Sequence, residues 1–260
     1  MRLLTGTLIL LATFCLQGCI TLGPNPEDPY ESINREIFKF NLAFDATVLK
    51  PPAKLYAAVL PAPVRAGVNN FYTNINMIPT VINDILQADF PHALKDTWRF
   101  IANTSFGIGG IFDPASVFGL PPRSNDLGLT FAHWGDKKSP YVMIPFLGPS
   151  TLRDGMALMF EYTFFTPYPY LRNEPLLYSL LAIRYVDLRS QMLSNDKLLG
   201  EALDKYMLVR SAYLQHRHYL MTGENVTQDD GSLYVDEADS SEPNALPPPD
   251  PKSAFPLTTS

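Results

Sequence analysis

Apolar residues recur at helical spacing over most of the chain. In "NPEDPYESINREIFKFNLAFD", Ile33, Ile37, Phe40 and Phe44 fall four, three and four apart and so share one helix face, while Asn34, Asn41 and Asp45 gather on another. Asp28 stands as the candidate N-cap, Pro29 suits the first helical position, and Glu31 sits where a capping box wants an acid. Four prolines cut the next stretch, "KPPAKLYAAVLPAPVR", which predicts only short helical pieces joined at angles. Helical patterns resume from 63 to about 76, 79 to about 88 and 91 to about 105, each opening on a proline. Two longer helices are predicted near the C-terminus, one from about 175 and one capped near Asn195 and stopped at Gly223. No segment alternates strictly over a sustained length and no repeat period is present. The predicted fold is therefore mostly α: one domain of bent helices over residues 28–222.

One region breaks the pattern. "NTSFGIGGIFDPASVFGLPPRSNDLGLTFAHWGDKKSPYVMIPFLGPS" is interrupted by glycine and proline yet stays apolar, whereas surface loops are usually polar because their backbone must be solvated. Within it Tyr141, Val142, Met143, Ile144, Pro145, Phe146 and Leu147 form an apolar run, preceded by Lys137 and Lys138 and followed by Pro149. Two readings stand: a strand or core-filling loop, or an apolar hairpin that enters a membrane or lines a path for a greasy ligand.

The ends of the chain change the picture. Residues 1–18 read as a secretory leader, with Arg2, an apolar core of about 14 residues that is too short to span a bilayer, and small residues before the break. Its final "LQGC" resembles the bacterial lipobox, which makes Cys19 the acylated first residue of the mature chain and discards Cys15. Multiple acyl chains anchor durably where one holds marginally. Ile20 rather than Asp after Cys19 favours sorting to the outer membrane, and 19–27 reads as a linker. From residue 223 onward, eight acids (Glu224, Asp229, Asp230, Asp236, Glu237, Asp239, Glu242 and Asp250) face one base, Lys252, among six prolines. That composition predicts a disordered acidic tail over 223–260. The body before it is nearly neutral and carries no nucleic-acid footprint.

Catalytic and metal constellations are absent from the pattern. "GIGG" at 107–110 lacks the Lys-Ser/Thr of a phosphate-binding loop. His216 and His218 stand two apart, on different faces of a helix, and so cannot share a metal. "HALKD" at 92–96 departs from the phospholipase D spacing, and "LGPSTL" around Ser150 is not a nucleophile elbow. The expectation is a non-enzyme with no metal and no cofactor.

Several ordered stretches, "DPYESINREIFKFNLAFD", "KPPAKLYAAVLPAPVRAGVNNFYTNI", "RFIANTSFGIGGIFDPAS", "HWGDKKSPYVMIPFLGPSTLRDG" and "YMLVRSAYLQ", resemble the MlaA (VacJ) family of outer-membrane lipoproteins. The resemblance implies a helical, doughnut-shaped body in the periplasmic leaflet of the outer membrane with an amphipathic channel through it. It further implies passage of mislocalised phospholipid from the outer leaflet to a soluble periplasmic carrier, with a trimeric porin as membrane companion. The family's gating hairpin corresponds by position to roughly 134–148, with Tyr141 to Leu147 as its apolar limb. Arg153 and Asp154 then stand at the hairpin base, paired or capping the next helix. Asn34 and Asn41 would supply the polar face of a channel helix, whose apolar side takes the acyl chains. "GDKKSPY" departs from the family's glycine-rich pattern at Ser139, and Lys137 and Lys138 could meet anionic headgroups or simply water. Two rival functions remain at this point: a phospholipase acting on the same lipids, and a structural porin-associated lipoprotein.

Overall fold

The computed structural model describes residues 23–223; the leader, Cys19 and the acidic segment lie outside them. Ten α-helices and one two-stranded sheet make up the described chain. Helix α1 (Glu31–Phe44) runs through a π-helical turn (Asp45–Leu49) into α2 (Lys50–Val59) without interruption. The π turn resolves a conflict in the sequence. Pro51 and Pro52 have no N–H to donate and clash with an ordinary preceding turn, so the chain widens by one residue just ahead of them and the helix survives. Arg189 grips this turn, bonding Asp45 at 2.5 and 2.9 Å and Asp196 at 2.7 Å, and Lys50 joins Asp196 at 2.8 Å.

Helix α3 (Ala62–Leu86) also corrects a predicted break. Pro79 sits inside it, and the 63–76 and 79–88 patterns are one helix. Both halves bury the same face, including Tyr72, Met77, Thr80 and Asn83, against α4 (Phe90–Ser105) and its neighbours. The Asn83 amide donates to the Pro79 carbonyl at 2.9 Å within the affected turn. Burial of a shared face thus outweighs the one hydrogen bond a proline removes.

The glycine-interrupted region folds into short elements: α5 (Pro114–Val117), α6 (Leu127–His133), β1 (Tyr141–Ile144) and β2 (Gly148–Thr151). The strands pair antiparallel, Tyr141 opposite Thr151 and Ile144 opposite Gly148. Helix α7 (Leu152–Phe164) follows at once, then α8 (Glu174–Gln191), α9 (Asp196–Glu201) and α10 (Lys205–Thr222). The predicted single helix from Asn195 divides at 202–204, because Asp204 caps a fresh start by accepting from Tyr206 and Met207 N–H. The predicted stop holds: Gly223 turns left-handed at φ 73°.

Polarity is inverted across the body. Among the described residues, twenty polar or charged side chains are buried and only fifteen apolar ones. Helix α4 turns Asp96, Arg99 and Asn103 inward and leaves Phe90, Leu94, Trp98 and Ile101 outside. Helix α7 likewise buries Arg153 and Asp154 and exposes Met159 and Phe160. Phe106 is 74% exposed, Met159 73% and Phe160 58%. Each such side chain left in water forfeits about 1.5–3 kcal/mol of burial. An outer surface of this extent is explained by an apolar surrounding. No helix among the described residues is long and apolar enough to cross a membrane.

Candidate functional site

A central cavity of about 2250 Å³ opens between the segment before α1, α3, residues 122–140, α8 and α10. Its lining is amphipathic, with apolar side chains such as Met77, Leu129, Leu188 and Leu214 between clusters of cations. Arg35, Arg123, Lys137, Lys138, Arg153, Arg184, Arg210 and Arg217 line it against Glu27, Asp28 and Glu31, with His133, His216 and His218 also present. His216 is lowered from the ordinary imidazole value by burial and then by Arg217, which favours its neutral form. Arg184 lies 5.2 Å above the Tyr72 ring, and its Nη1 is buried with no hydrogen-bond partner. Lys137 and Lys138 are exposed at the same opening.

The hairpin forms part of this wall, and α1 holds it. Strand β1 pairs with β2 along one edge; along the other it meets side-chain amides instead of a strand. Asn34 donates to the Tyr141 carbonyl at 3.2 Å and accepts from Met143 N–H at 2.8 Å. Asn41 repeats the move one step on, donating to the Ile144 carbonyl at 3.0 Å and accepting from Phe146 N–H at 2.8 Å. The geometry matches because seven helical residues rise about 10.5 Å and three strand residues about 10 Å. Expected to line a polar route, Asn34 and Asn41 are instead clamps on the hairpin backbone. The buried stripe of α1 is accordingly rotated from the predicted one: Asn34 and Phe38 are buried, while Ile33 and Phe40 are exposed.

Asp28 also has a different role from the one expected. Tyr30, not Asp28, is the N-cap residue of α1, and it makes no side-chain cap bond. Asp28 is fully buried, accepting from Asn34 at 2.8 Å, from Arg210 at 3.0 Å and from the Tyr206 hydroxyl. Its carboxylate is turned to these buried donors on α1 and α10 and not to the first-turn N–H groups.

The apolar limb divides by position. Tyr141 and Met143 are buried, Val142 and Ile144 half-buried, and Pro145, Phe146 and Leu147 exposed at the tip. Phe146 adopts φ 66°, unusual for a bulky residue, and its ring meets Phe40 at 5.1 Å and Phe44 at 4.9 Å edge to face.

At the hairpin base Arg153 Nε donates to Asp154 at 2.8 Å, while the cap of α7 is Thr151, whose hydroxyl accepts from Asp154 N–H at 3.1 Å. Arg217 bridges Asp154 at 2.9 Å and Asp126 at 2.6 Å, and the Tyr213 hydroxyl reaches Asp154 at 2.7 Å. Burial alone would raise the Asp154 carboxyl, but Arg217, Arg153 and Tyr213 outweigh it and hold it below the usual carboxylate range. Gly128 is required here: a Cβ on it would lie 2.3 Å from Asp154 Oδ1. Ser139, the departure from the glycine pattern, fastens the base further, its hydroxyl accepting from Arg153 N–H at 2.9 Å.

A second carboxyl cluster lies behind Arg123, which faces Asp96 at 3.4 Å and Asp84 at 3.8 Å. Burial first, and then hydrogen bonding and repulsion from Asp84, raise Asp96 to about 6.

The α10 residues were missed from sequence. Tyr206, Arg210, Tyr213 and Arg217 stand four, three and four apart and all turn to buried carboxylates. A polar stripe at helical period is the signal in the sequence that marks them.

A cavity carrying a cluster of cations inside an apolar exterior defines a membrane-associated helical protein built around an amphipathic opening. The chain belongs to the MlaA lipoprotein family, whose profile matches residues 26–220. It is 31% identical over 220 residues to the intermembrane phospholipid transport system lipoprotein MlaA of Escherichia coli, covering 82% of this chain and 87% of that one. The corresponding lipoprotein of Haemophilus influenzae is 27% identical over 232 residues, 86% and 93% of the two chains. An uncharacterized protein of Rickettsia bellii is 37% identical over 191 residues, 73% and 75%. A solved structure described as "Structural basis for maintenance of bacterial outer membrane lipid asymmetry" matches with TM-score 0.66 at 33% identity, covering 75% of this chain and 98% of that one.

Proposed function

We propose that this chain is an outer-membrane lipoprotein that takes mislocalised phospholipid from the outer leaflet through its central cavity and passes it to a soluble periplasmic carrier, so preserving lipid asymmetry. The inverted polarity carries this reading. A phospholipid needs apolar surroundings for its acyl chains and a polar, cationic passage for its phosphate, and the fold offers these as exterior and interior. Arg184, cationic and without a carboxylate partner at ion-pair distance, is the residue best suited to meet the phosphate in transit. Acylated Cys19 tethers the body to the periplasmic leaflet, and a trimeric porin is its companion there. The hairpin tip at 145–147 gates the passage. Transfer is non-covalent, so the direction of net flow comes from the carrier side.

Surface-exposed phospholipid, measured in a strain lacking this chain, tests the reading. It should rise on deletion and fall when the intact chain is restored, but not when Arg184→Glu is restored at equal abundance. Surface phospholipid unchanged by deletion would overturn the function. Full complementation by Arg184→Glu would remove the role of that residue.

A further inference from the structure

We propose that the acidic C-terminal segment, residues 224–260, binds back into the basic central cavity of its own chain and there competes with anionic lipid headgroups. This rests on the cavity being the headgroup passage and adds a built-in inhibitor to it.

The first observation is where the segment starts. Helix α10 runs along the cavity, and its last residues, Met221 and Thr222, together with Gly223, belong to the lining. The chain therefore leaves the described body at the rim, turned by the left-handed Gly223.

The second is charge. Eight lysines and arginines line the cavity against three acids. Five of these cations, Arg35, Arg123, Arg153, Arg210 and Arg217, are committed to carboxylates of the body. Among the described residues, Lys137, Lys138 and Arg184 have no carboxylate at ion-pair distance. Asp187, one turn from Arg184, is taken by the Tyr56 hydroxyl at 2.9 Å and by Gln191 at 2.9 Å. Three cations thus face one opening without a body carboxylate at ion-pair distance.

The third is the segment itself. It carries eight acids and one base, and six of the acids fall between 229 and 242. An extended chain covers about 3.3–3.6 Å per residue, so Asp229, six residues past Gly223, reaches up to about 20 Å from the rim. Tethering at such range gives effective concentrations on the order of millimolar, enough for individually weak ion pairs to hold. The segment lies beyond the family-matched residues 26–220.

The test compares three proteins purified in detergent: the full chain, the chain ended after Gly223, and the full chain with Asp229→Asn, Asp230→Asn, Asp236→Asn, Glu237→Gln, Asp239→Asn and Glu242→Gln. Carbodiimide cross-linking with peptide mass mapping should join Lys137 or Lys138 to acids of 229–242 in the full chain. The yield should fall as salt rises through about 0.5 M. The Lys50–Asp196 pair, 2.8 Å apart, serves as the internal control. Phosphatidylglycerol in mixed micelles should bind about fivefold more tightly to the shortened and neutralised proteins than to the full chain.

Control cross-links without any between the segment and the cavity lysines would overturn the proposal. So would equal lipid affinity in all three proteins, or segment contacts that form only when another protein is added. If none of the three binds lipid although the cross-links form, competition with headgroups is overturned along with the transport reading. Lipid bound equally without cross-links leaves transport standing and removes the inhibitor alone.

Discussion

The base and the tip of the hairpin are a few residues apart and are held by opposite physics. At the base, Tyr141 and Met143 are buried, Asn34 pairs their backbone, and Arg153, Asp154, Tyr213 and Arg217 form a largely buried charged network in the cavity wall. At the tip, Pro145, Phe146 and Leu147 are exposed, held by Asn41 and by ring contacts with Phe40 and Phe44. Charged hydrogen bonds in a buried site are costly to break, whereas aromatic contacts at an apolar surface can be exchanged for acyl-chain contacts at little cost. Movement is therefore cheap at the tip and expensive at the base, which is the arrangement a gate requires.

The largest effect should come from breaking the base. Arg217→Met strips buried Asp154 of one of its two cations and half-buried Asp126 of its ion-pair partner, and should destabilise the fold by about 3–5 kcal/mol, read as a lowered unfolding midpoint in detergent. A midpoint equal to that of the unaltered chain would erase the distinction between base and tip. Next come the two clamps. Asn34→Leu should cost about 2–4 kcal/mol, because its backbone partners are buried, and Asn41→Leu only about 1–2, because Phe146 N–H can turn to solvent. The reverse order in the same unfolding assay would invert the comparison. Phe146→Ala should change stability by less than about 1 kcal/mol yet alter surface phospholipid in cells, and a variant with normal lipid asymmetry would deny the tip its role.

The smallest effect is a pH signature. Asp154 is depressed in the fold, so its contribution is complete above the ordinary carboxylate value near 4 and is lost as pH falls through its folded value below that. Asp96 is raised to about 6, so its ionisation opposes folding above that pH and the penalty disappears as pH falls toward 4. Thermal stability should rise slightly from pH 7 to pH 5, and Asp96→Asn should flatten that rise. A rise that survives the substitution assigns it to other groups.

Much of this was legible in the residues. The helical class and the stop at Gly223 follow from period and cap chemistry. What misled the reading was an assumption carried over from soluble proteins, that apolar stripes point inward. On α10 it passed over Tyr206, Arg210, Tyr213 and Arg217; on α1 the asparagines read as the polar face of a channel helix bond the hairpin backbone. Prolines misled in the other direction. Pro79, Pro51 and Pro52 predict breaks by local rules, but burial along α3 and the π turn before α2 override them, and neither is visible within a short window.

The π turn at Asp45–Leu49 also sets the phase of the molecule. It inserts one residue into an otherwise continuous rod, turning everything upstream by about 100° relative to everything downstream. Helix α2 is fixed against α8 through Tyr56 and Asp187, so the turn decides which way Asn34 and Asn41 point. Removing a single residue there would return the winding to an ordinary turn and set Pro51 and Pro52 against it. It would also swing both asparagines off β1, leaving a rod that no longer indexes the hairpin.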